Sequence, residues 1–194
     1  MRVVDPCNLR LDGATVSLVP LSITHLPDLL RHAADPALWQ WWIRKPPLDE
    51  ATMRAEIELA LTQQGRDERI PFAIVQRVSG EGIGSTSYLA RDVRNRSVEI
   101  GATWLGSAFH GGHINRECKE LLIAHAFANF AVKRVVLQTD ALNLRSRRAI
   151  EKLGARLDGI LREDKIVWDG RIRSSAVYSI LHREWCVAAS PSPA

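Results

Sequence analysis

The chain has 194 residues, of which 46% are hydrophobic and 25% charged, a composition typical of a globular protein with its own core. Its net charge of +4 comes from 26 basic and 22 acidic side chains spread over the whole length, which argues against a nucleic-acid-binding arm. Its three cysteines are too scattered for a disulfide framework or a metal site, and no apolar run could span a membrane. We therefore expect a cytoplasmic protein without nucleic-acid, metal or membrane partners.

The first part of the chain predicts one strand followed by two helices. Residues 14–20 (ATVSLVP) alternate apolar and polar side chains, as a half-buried strand does. Ser22 is a candidate cap for a first helix, which Asp35-Pro36 ends, and apolar spacing predicts a second helix over about 50–65. The segment between these helices is rich in tryptophan and contains Trp39, Trp41 and Trp42.

The rest of the chain predicts six strands and two helices. Three strands separated by short polar gaps fit an antiparallel meander, at 71–78, 82–89 and 97–105. They are followed by a glycine loop, a helix from 114, a buried strand at 134–140, a short helix over 144–153 and a hairpin turning at 169–170. This order describes a single α+β domain over residues 1–185, with a short C-terminal tail at 186–194.

The segment FHGGHINRECKELL at 109–122 places two glycines before a helix. A helix start carries about half a positive charge and unpaired amide N–H groups, so small residues before it can allow an anion to come close. Gly111 and Gly112 have the required backbone freedom. A flexible joint is the alternative, and it would be the better interpretation of a Gly-Gly pair alone.

Further motifs favour the phosphate-binding interpretation. Besides the loop from His110, the chain contains three further motifs: EIGATWL in the fourth strand (97–105), TDALNLRSRRAIEKLGA at 139–155 and WDGR at 168–171. Together they resemble the GNAT superfamily of acetyl-CoA-dependent N-acetyltransferases, and most closely its RimJ/RimL-like branch, which acetylates protein N-termini and other amines. The resemblance covers about residues 10–185.

The resemblance implies both a fold and an activity. The GNAT fold is a mixed, mostly antiparallel sheet of about seven strands flanked by four helices, and its fourth strand (here 97–105) is splayed from its fifth (here 134–140). The implied activity is acetyl transfer from acetyl-CoA to a primary amine, which is a protein N-terminus or a small amine. The resemblance also implies pairing into a homodimer.

The resemblance assigns the loop to the cofactor. In the family the loop reads Gln/Arg-x-x-Gly-x-Gly/Ala, and its amides hold the pyrophosphate of CoA; here the positions are His110, Gly111, Gly112, His113, Ile114 and Asn115. His113 and Asn115 replace the last two small residues. Such side chains could keep the backbone farther from the phosphates, although the His113 ring can itself donate a hydrogen bond to them.

The helix after the fifth strand carries the remaining family positions. By resemblance, Asn143 contacts the pantetheine arm, and Ser146 stands where relatives place a proton donor for the leaving thiolate. Many members use a tyrosine four residues later, but that position is Ile150 here, so Ser146 is the candidate acid. The alternative for its hydroxyl is the capping network of Asn143. Arg147, like Arg145, Arg148 and Lys152, is a candidate phosphate contact.

Acetyl transfer also requires a neutral amine and a polarised thioester carbonyl. Glu99 is the candidate base, because strand alternation places Val98, Ile100, Ala102 and Trp104 on one face and Glu99 on the other; a surface carboxylate is the alternative. Gly101 permits a bulge, and the resemblance implies pantetheine contacts by the neighbouring amides of Ala102, Thr103 and Trp104.

Direct attack by the amine in a ternary complex is preferred to an acetylated cysteine. Cys118 lies on the apolar face of its helix, where a buried and inert thiol is expected. Glu117 and Lys119 on the same helix are interpreted as solvated, with support of the loop as the alternative. Trp41, Trp42 and Tyr88 are candidate acceptor contacts, and core packing is the alternative for each.

Two other functions fit the same residues. A catalytically silent CoA-binding regulator would keep the loop while Glu99 and Ser146 lose their roles, so it predicts binding without thiol release. A cofactor-free protein or RNA interaction module would fit His113, Asn115 and the basic net charge, and it predicts no heat on titration with acetyl-CoA.

Overall fold

The computed structural model describes residues 8–189, and the side chains of residues 8–185. Its centre is a sheet of eight strands: β1 (Leu11–Asp12), β2 (Val16–Pro20), β3 (Arg69–Gln76), β4 (Gly82–Asp92), β5 (Ser97–Leu105), β6 (Arg134–Asp140), β7 (Arg156–Ile166) and β8 (Ile172–Leu181). They lie in the order β1-β2-β3-β4-β5-β6-β8-β7, and only β5 and β6 are parallel. The predicted mixed, mostly antiparallel sheet is confirmed, with the two-residue β1 as an addition.

Five α-helices accompany the sheet within residues 8–189: α1 (Leu26–Ala33), α2 (Glu50–Gly65), α3 (Ile114–Asn129), α4 (Leu144–Glu151) and α5 (His182–Ala189). The four predicted helices are present, and α5 is an addition. Because α5 reaches Ala189, the segment predicted as a tail begins inside a helix, while residues 190–194 lie outside the described residues. No helix of the described chain combines the length and apolarity needed to cross a bilayer.

Local sequence signals explain how α4 and the final hairpin begin and end. The side chain of Asn143 accepts a hydrogen bond from the backbone N–H of Ser146 at 3.0 Å, which confirms the predicted N-cap. After α4, Gly154 has a φ of 85°, a left-handed conformation that favours glycine. Gly170 has a φ of 86° in the turn between β7 and β8, as its Asp-Gly sequence predicts.

The sheet separates two apolar cores. One lies between the sheet and the helices α3 and α4, and includes Tyr88, Leu122 and Tyr178. The other lies under α1 and α2, and includes Trp39 and Trp104. Tryptophans of the segment between α1 and α2 therefore contribute to the second core.

β5 and β6 pair at one end and then diverge. Their parallel pairing joins Ser97–Glu99 to Arg134–Val136 and does not continue into residues 100–105 of β5. This confirms the predicted splay between the two strands. Backbone groups of β5 that face the opening are therefore not covered by β6, and such uncovered groups can bind a ligand.

Candidate active site

β5 contains a bulge where the pantetheine-binding amides are predicted. Between the pairs Ser87–Gly101 and Ser85–Trp104, two residues of β5 oppose one residue of β4. One of the two, Ala102, has a φ of 46°, in the left-handed region that residues with a side chain rarely adopt. The bulge therefore lies one residue after the glycine that was expected to permit it.

The bulge reverses the alternation of side chains beyond it. Val98 and Ile100 pack in the core under α3, as predicted, but Trp104 packs in the other core, with its ring centroid 5.2 Å from that of Trp39. Thr103 takes the face toward α3 instead, where it contacts Lys119. The predicted common face for Trp104 and Ile100 was wrong, because a strict period of two cannot anticipate an inserted residue.

The glycine loop leaves a run of backbone amides open. Gly111 has a φ of 78°. His113 occupies the N-cap position of α3, but its side chain makes no capping hydrogen bond. Within the described residues, the backbone N–H groups of 111–116 have no hydrogen-bond partner. Because they lie at the positive end of a 16-residue helix, they could hold a phosphate group.

His113 and Glu117 both contact Thr15, just before β2. His113 Nε2 lies 3.2 Å from Thr15 Oγ1, so the ring is engaged outside the loop. Glu117 accepts hydrogen bonds from the Thr15 hydroxyl and, at 2.8 Å, from its backbone N–H. The solvated interpretation of Glu117 was therefore wrong, because this carboxylate connects the first turn of α3 to the sheet. Asn115 is half-buried in the same turn.

His110 joins the loop to β5 and to α4. Its Nε2 lies 2.9 Å from the carbonyl oxygen of Leu105, and its Nδ1 lies 3.2 Å from Nη1 of Arg145. Burial, together with the charge of Arg145, lowers the pKa of His110 below its ordinary value, which favours a neutral ring near pH 7. Such a ring can donate to Leu105 through Nε2 and accept from Arg145 at Nδ1.

Arg147 faces away from this junction. Its Nε donates to Tyr178 Oη at 2.9 Å and its Nη1 to the carbonyl oxygen of Ala141 at 3.2 Å. The guanidinium is thus used to fasten α4 to β8. Among the described residues of the motif, Arg145 contacts the loop, through His110.

Ser146 has an open hydroxyl. The cap formed by Asn143 uses the backbone N–H of Ser146, and the hydroxyl has no hydrogen-bond partner in the described part of the chain. The residue is half-buried on α4. The capping interpretation of this hydroxyl is therefore not supported, and the group is available to a ligand.

Glu99 is a partly shielded carboxylate at the point where β5 leaves β6. Gln138 Nε2 donates to Glu99 Oε2 at 3.0 Å, and Lys165 Nζ lies 3.3 Å from Gln138 Oε1. Burial raises the pKa of Glu99, against the opposing charges of Lys165, Lys119 and Arg173. Glu99 therefore takes up a proton more readily than a surface carboxylate, as a general base near neutral pH should.

Two of the three aromatic acceptor candidates belong to the cores. Tyr88 is 1% exposed and its Oη donates to the carbonyl oxygen of Leu122 at 2.6 Å, so the predicted acceptor contact gives way to a packing role. Trp42 packs edge-on against Trp39 at 5.2 Å between ring centroids. Trp41 alone reaches the polar side of the site.

Trp41 meets a polar cluster that the sequence did not reveal. The guanidinium carbon of Arg171 lies 5.4 Å from the centroid of the Trp41 ring, and Nη2 of Arg171 donates to Oδ2 of the buried Asp140 at 2.7 Å. Asp140 and Gln138 lie at the end of β6, after the residues of β6 that pair with β5. Polar residues ending an otherwise apolar strand were the signal that could have found this cluster.

Cys118 is buried, and burial raises its pKa to about 12, so it is not a nucleophile. Cys7 and Cys186 lie outside the residues whose side chains are described. In the described part of the chain, no three His, Cys, Asp or Glu side chains come together as metal ligands would.

Known proteins share both sequence and fold with this chain. A segment of 107 residues is 34% identical to the Bacillus subtilis (strain 168) protein named "Putative ribosomal N-acetyltransferase YdaF". The segment covers 55% of this chain and 57% of that relative's length. A solved GCN5-related N-acetyltransferase from Brucella melitensis is 26% identical, with a TM-score of 0.86, over 92% of this chain and 81% of that one.

RimL, a ribosomal L7/L12 alpha-N-protein acetyltransferase, matches with a TM-score of 0.78 over 89% of this chain and 94% of its own; at 19% identity this is a likeness of fold alone. The acetyltransferase (GNAT) domain family itself matches residues 15–156. That range contains the splayed strands, the open loop and the whole of the α4 motif at 139–155, and the resemblance drawn from these motifs is thereby confirmed. The protein belongs to the GNAT acetyltransferase family.

Proposed function

We propose that the protein is an acetyl-CoA-dependent N-acetyltransferase, which transfers the acetyl group to a primary amine by direct attack in a ternary complex. Membership of the GNAT family supports acetyl transfer in general. The observation that carries the proposal is the run of open amides at 111–116, beside the gap between β5 and β6. The named relative supports an RimJ/RimL-like acceptor, which is a protein N-terminus, with a small amine as the alternative.

The backbone would bind and orient acetyl-CoA. The amides of 111–116 would hold its pyrophosphate at the start of α3, with Arg145 adding a positive charge. The bulged part of β5, from Ala102 to Trp104, would donate to the pantetheine and polarise the thioester carbonyl. The side-chain amide of Asn143, at the start of α4, would add a contact to the same arm.

Two side chains would handle the protons. Glu99, whose pKa is raised by burial, would accept a proton from the attacking ammonium group, directly or through water. The amine nitrogen then bonds to the thioester carbon as the carbon–sulfur bond breaks, and the nitrogen releases its second proton to water. Ser146 would donate its hydroxyl proton to the departing thiolate of CoA and would recover a proton from solvent.

The proposal is tested by calorimetric titration with acetyl-CoA and by thiol release over a panel of peptides and small amines. We expect saturable binding at one site and release of CoA thiol that depends on one class of acceptor. Binding without thiol release would identify the silent regulator. The absence of any heat would identify a cofactor-free module, and either result would overturn the proposal.

Gly111→Ala and Gly112→Ala form a matched test of the loop. A Cβ atom at either position meets no atom within 4 Å, but only Gly111 has a positive φ, at 78°. An L-residue there costs about 1–2 kcal/mol, so we expect the affinity for acetyl-CoA to fall about tenfold in Gly111→Ala and to change less than about threefold in Gly112→Ala. Calorimetry measures both, and equal losses would contradict this role of the loop conformation.

Glu99→Gln should remove a pH dependence from the reaction. The carboxylate accepts a proton only when ionised, and burial raises its pKa, so the wild-type kcat/KM should rise as pH increases through a value above the ordinary glutamate pKa. In Glu99→Gln we expect this rise to disappear and the rate at neutral pH to fall about a hundredfold. The exposed Glu58, changed to Gln, is the control. An unchanged profile in Glu99→Gln would assign the base to water.

We also propose a cytoplasmic location and a homodimer. The location is supported by Cys118, which is free and buried, as is usual in a reducing compartment. The dimer is supported by the edge strand β7, on which four apolar side chains are exposed: Leu157, Ile160, Leu161 and Ile166.

A further inference from the structure

Lys119 is a buried cation on the face of α3 that packs against the sheet. The residue is only 7% exposed, and its neighbours on this face, Cys118 and Leu122, are fully buried. Lysine is almost never buried to this extent unless its charge is paired. The solvated interpretation of Lys119 was therefore wrong. Within the described residues its ammonium group has one hydrogen bond, from Nζ to Oγ1 of Thr103 at 2.6 Å.

The Thr103 hydroxyl is used to its full capacity. Besides Lys119, it contacts Oγ1 of Thr86 at 2.7 Å and the carbonyl oxygen of Gly101 at 3.2 Å. A hydroxyl has one proton to donate and two lone pairs to accept. Because an ammonium group only donates, Thr103 accepts from Lys119 and from Thr86 and gives its own proton to Gly101. The Gly101 carbonyl fixes the direction of the Thr103 proton, and Lys119 occupies one of the two acceptor positions that remain on this hydroxyl.

This network clamps the bulge of β5. Gly101 and Thr103 flank Ala102, whose φ of 46° is unfavourable for a residue with a side chain. Thr86 is the β4 residue between the two pairs that bracket the bulge. Lys119 therefore ties α3 to the point where β5 departs from regular pairing, and the strained conformation persists because its surroundings hold it.

We propose that Lys119 is a positioning residue, which acts through Thr103 to hold the β5 bulge in the conformation that presents its amides to the acetyl thioester. The inference rests on the proposed function and adds a residue to it. In this role Lys119 would act through Thr103 and not by contact with either substrate. A buried ammonium destabilises the folded state, and the requirement for an oriented bulge explains why a lysine occupies a core position.

Lys119→Met separates positioning from stability. Methionine fills a similar volume without a charge, so we expect Tm to be retained or raised, because a desolvated cation is removed. We expect kcat for thiol release to fall about tenfold and the affinity for acetyl-CoA to stay within about threefold. Thr103→Val, which removes only the hydroxyl, should reproduce the loss in kcat, and Thr103→Ser should restore most of it. The exposed Lys133, changed to Met, is the matched control.

The pH dependence provides a second readout. Burial lowers the pKa of Lys119 to about 8, while Cys118 and Glu99 oppose the shift; Glu99 in turn faces Lys165 of β7 and Arg173 of β8. The protonated form is the stronger donor to Thr103, because its hydrogen bond is charge-assisted, and it is lost as pH rises through about 8. The ionisation of the acceptor amine affects the wild-type and Lys119→Met rates equally, so its pH dependence drops out of the ratio of the two rates. We expect this ratio to fall toward unity above about pH 9.

Amide chemical shifts test the network without any activity. In wild-type protein the N–H resonances of Ala102 and Thr103 should titrate with a midpoint of about 8, and in Lys119→Met this transition should be absent. If those resonances do not titrate, or if Lys119→Met keeps wild-type kcat, the inference is overturned. If they titrate but wild-type protein releases no thiol with any acceptor, the link to the bulge stands and the proposed function fails.

Discussion

Ser146→Ala is expected to lower kcat for acetyl transfer about a hundredfold, which is the contribution typical of a positioned proton donor. Among the residues that the structure describes, the hydroxyl has no partner, whereas the backbone N–H of the same residue completes the Asn143 cap. Alanine keeps that N–H, so α4 should form normally. The affinity for acetyl-CoA should therefore stay within about threefold of wild type.

Thiol-release kinetics, calorimetry and thermal unfolding of Ser146→Ala distinguish the two roles of this residue. Ser146→Thr retains a hydroxyl at the same position and should recover part of the rate. If turnover, affinity and Tm all fell together in Ser146→Ala, the hydroxyl would be assigned to the stability of α4, and the thiolate of CoA would have to take its proton from water.

Trp39→Ala is expected to reduce the free energy of unfolding by about 3–5 kcal/mol, which is the range for removing a fully buried aromatic side chain. The residue is 1% exposed, and its ring centroid lies 5.2 Å from those of both Trp42 and Trp104. Its Nε1 also donates to the carbonyl oxygen of Ala33 at 2.9 Å. The substitution would leave a cavity under α1 and α2.

Trp168→Ala is the matched control, because the same side chain is 49% exposed there. We expect it to cost about 1 kcal/mol or less in a urea unfolding experiment at constant m-value. Since Trp104 lies in β5 directly after the bulge, Trp39→Ala should also reduce turnover in the fraction of protein that stays folded. If Trp39→Ala lowered the free energy of unfolding as little as is expected for Trp168→Ala, the core under α1 and α2 would not depend on Trp39.

The elements whose signals are local were predicted closely. β5 and β6 occupy the predicted residues 97–105 and 134–140, and α2 occupies the predicted 50–65. Asn143 caps α4 as its side chain suggests, and the Asp169-Gly170 turn joins β7 to β8. In each case the pattern and the stop signal lie within a few residues of each other, so no distant contact is needed to determine the outcome.

Contacts between distant segments account for the differences. Tyr88 and Lys119 could each be buried or exposed on the sequence alone, and the packing of α3 on the sheet decided both. Arg145 and Arg147 are two residues apart, yet one contacts the loop and the other contacts β8, because successive helical positions point in different directions. The Glu99–Gln138 contact likewise exists only because β5 and β6 are neighbours.

By itself, the sequence determined the family, the order of seven strands and four helices, and the glycine loop at the start of α3, because motif spacing, periodicity and turn residues act over short stretches of chain. The tertiary structure decided where β5 bulges, which face Trp104 takes, and which polar groups surround Glu99 and Thr103. Those features depend on desolvation and hydrogen bonding between residues far apart in sequence, and such energies arise only when the segments pack together.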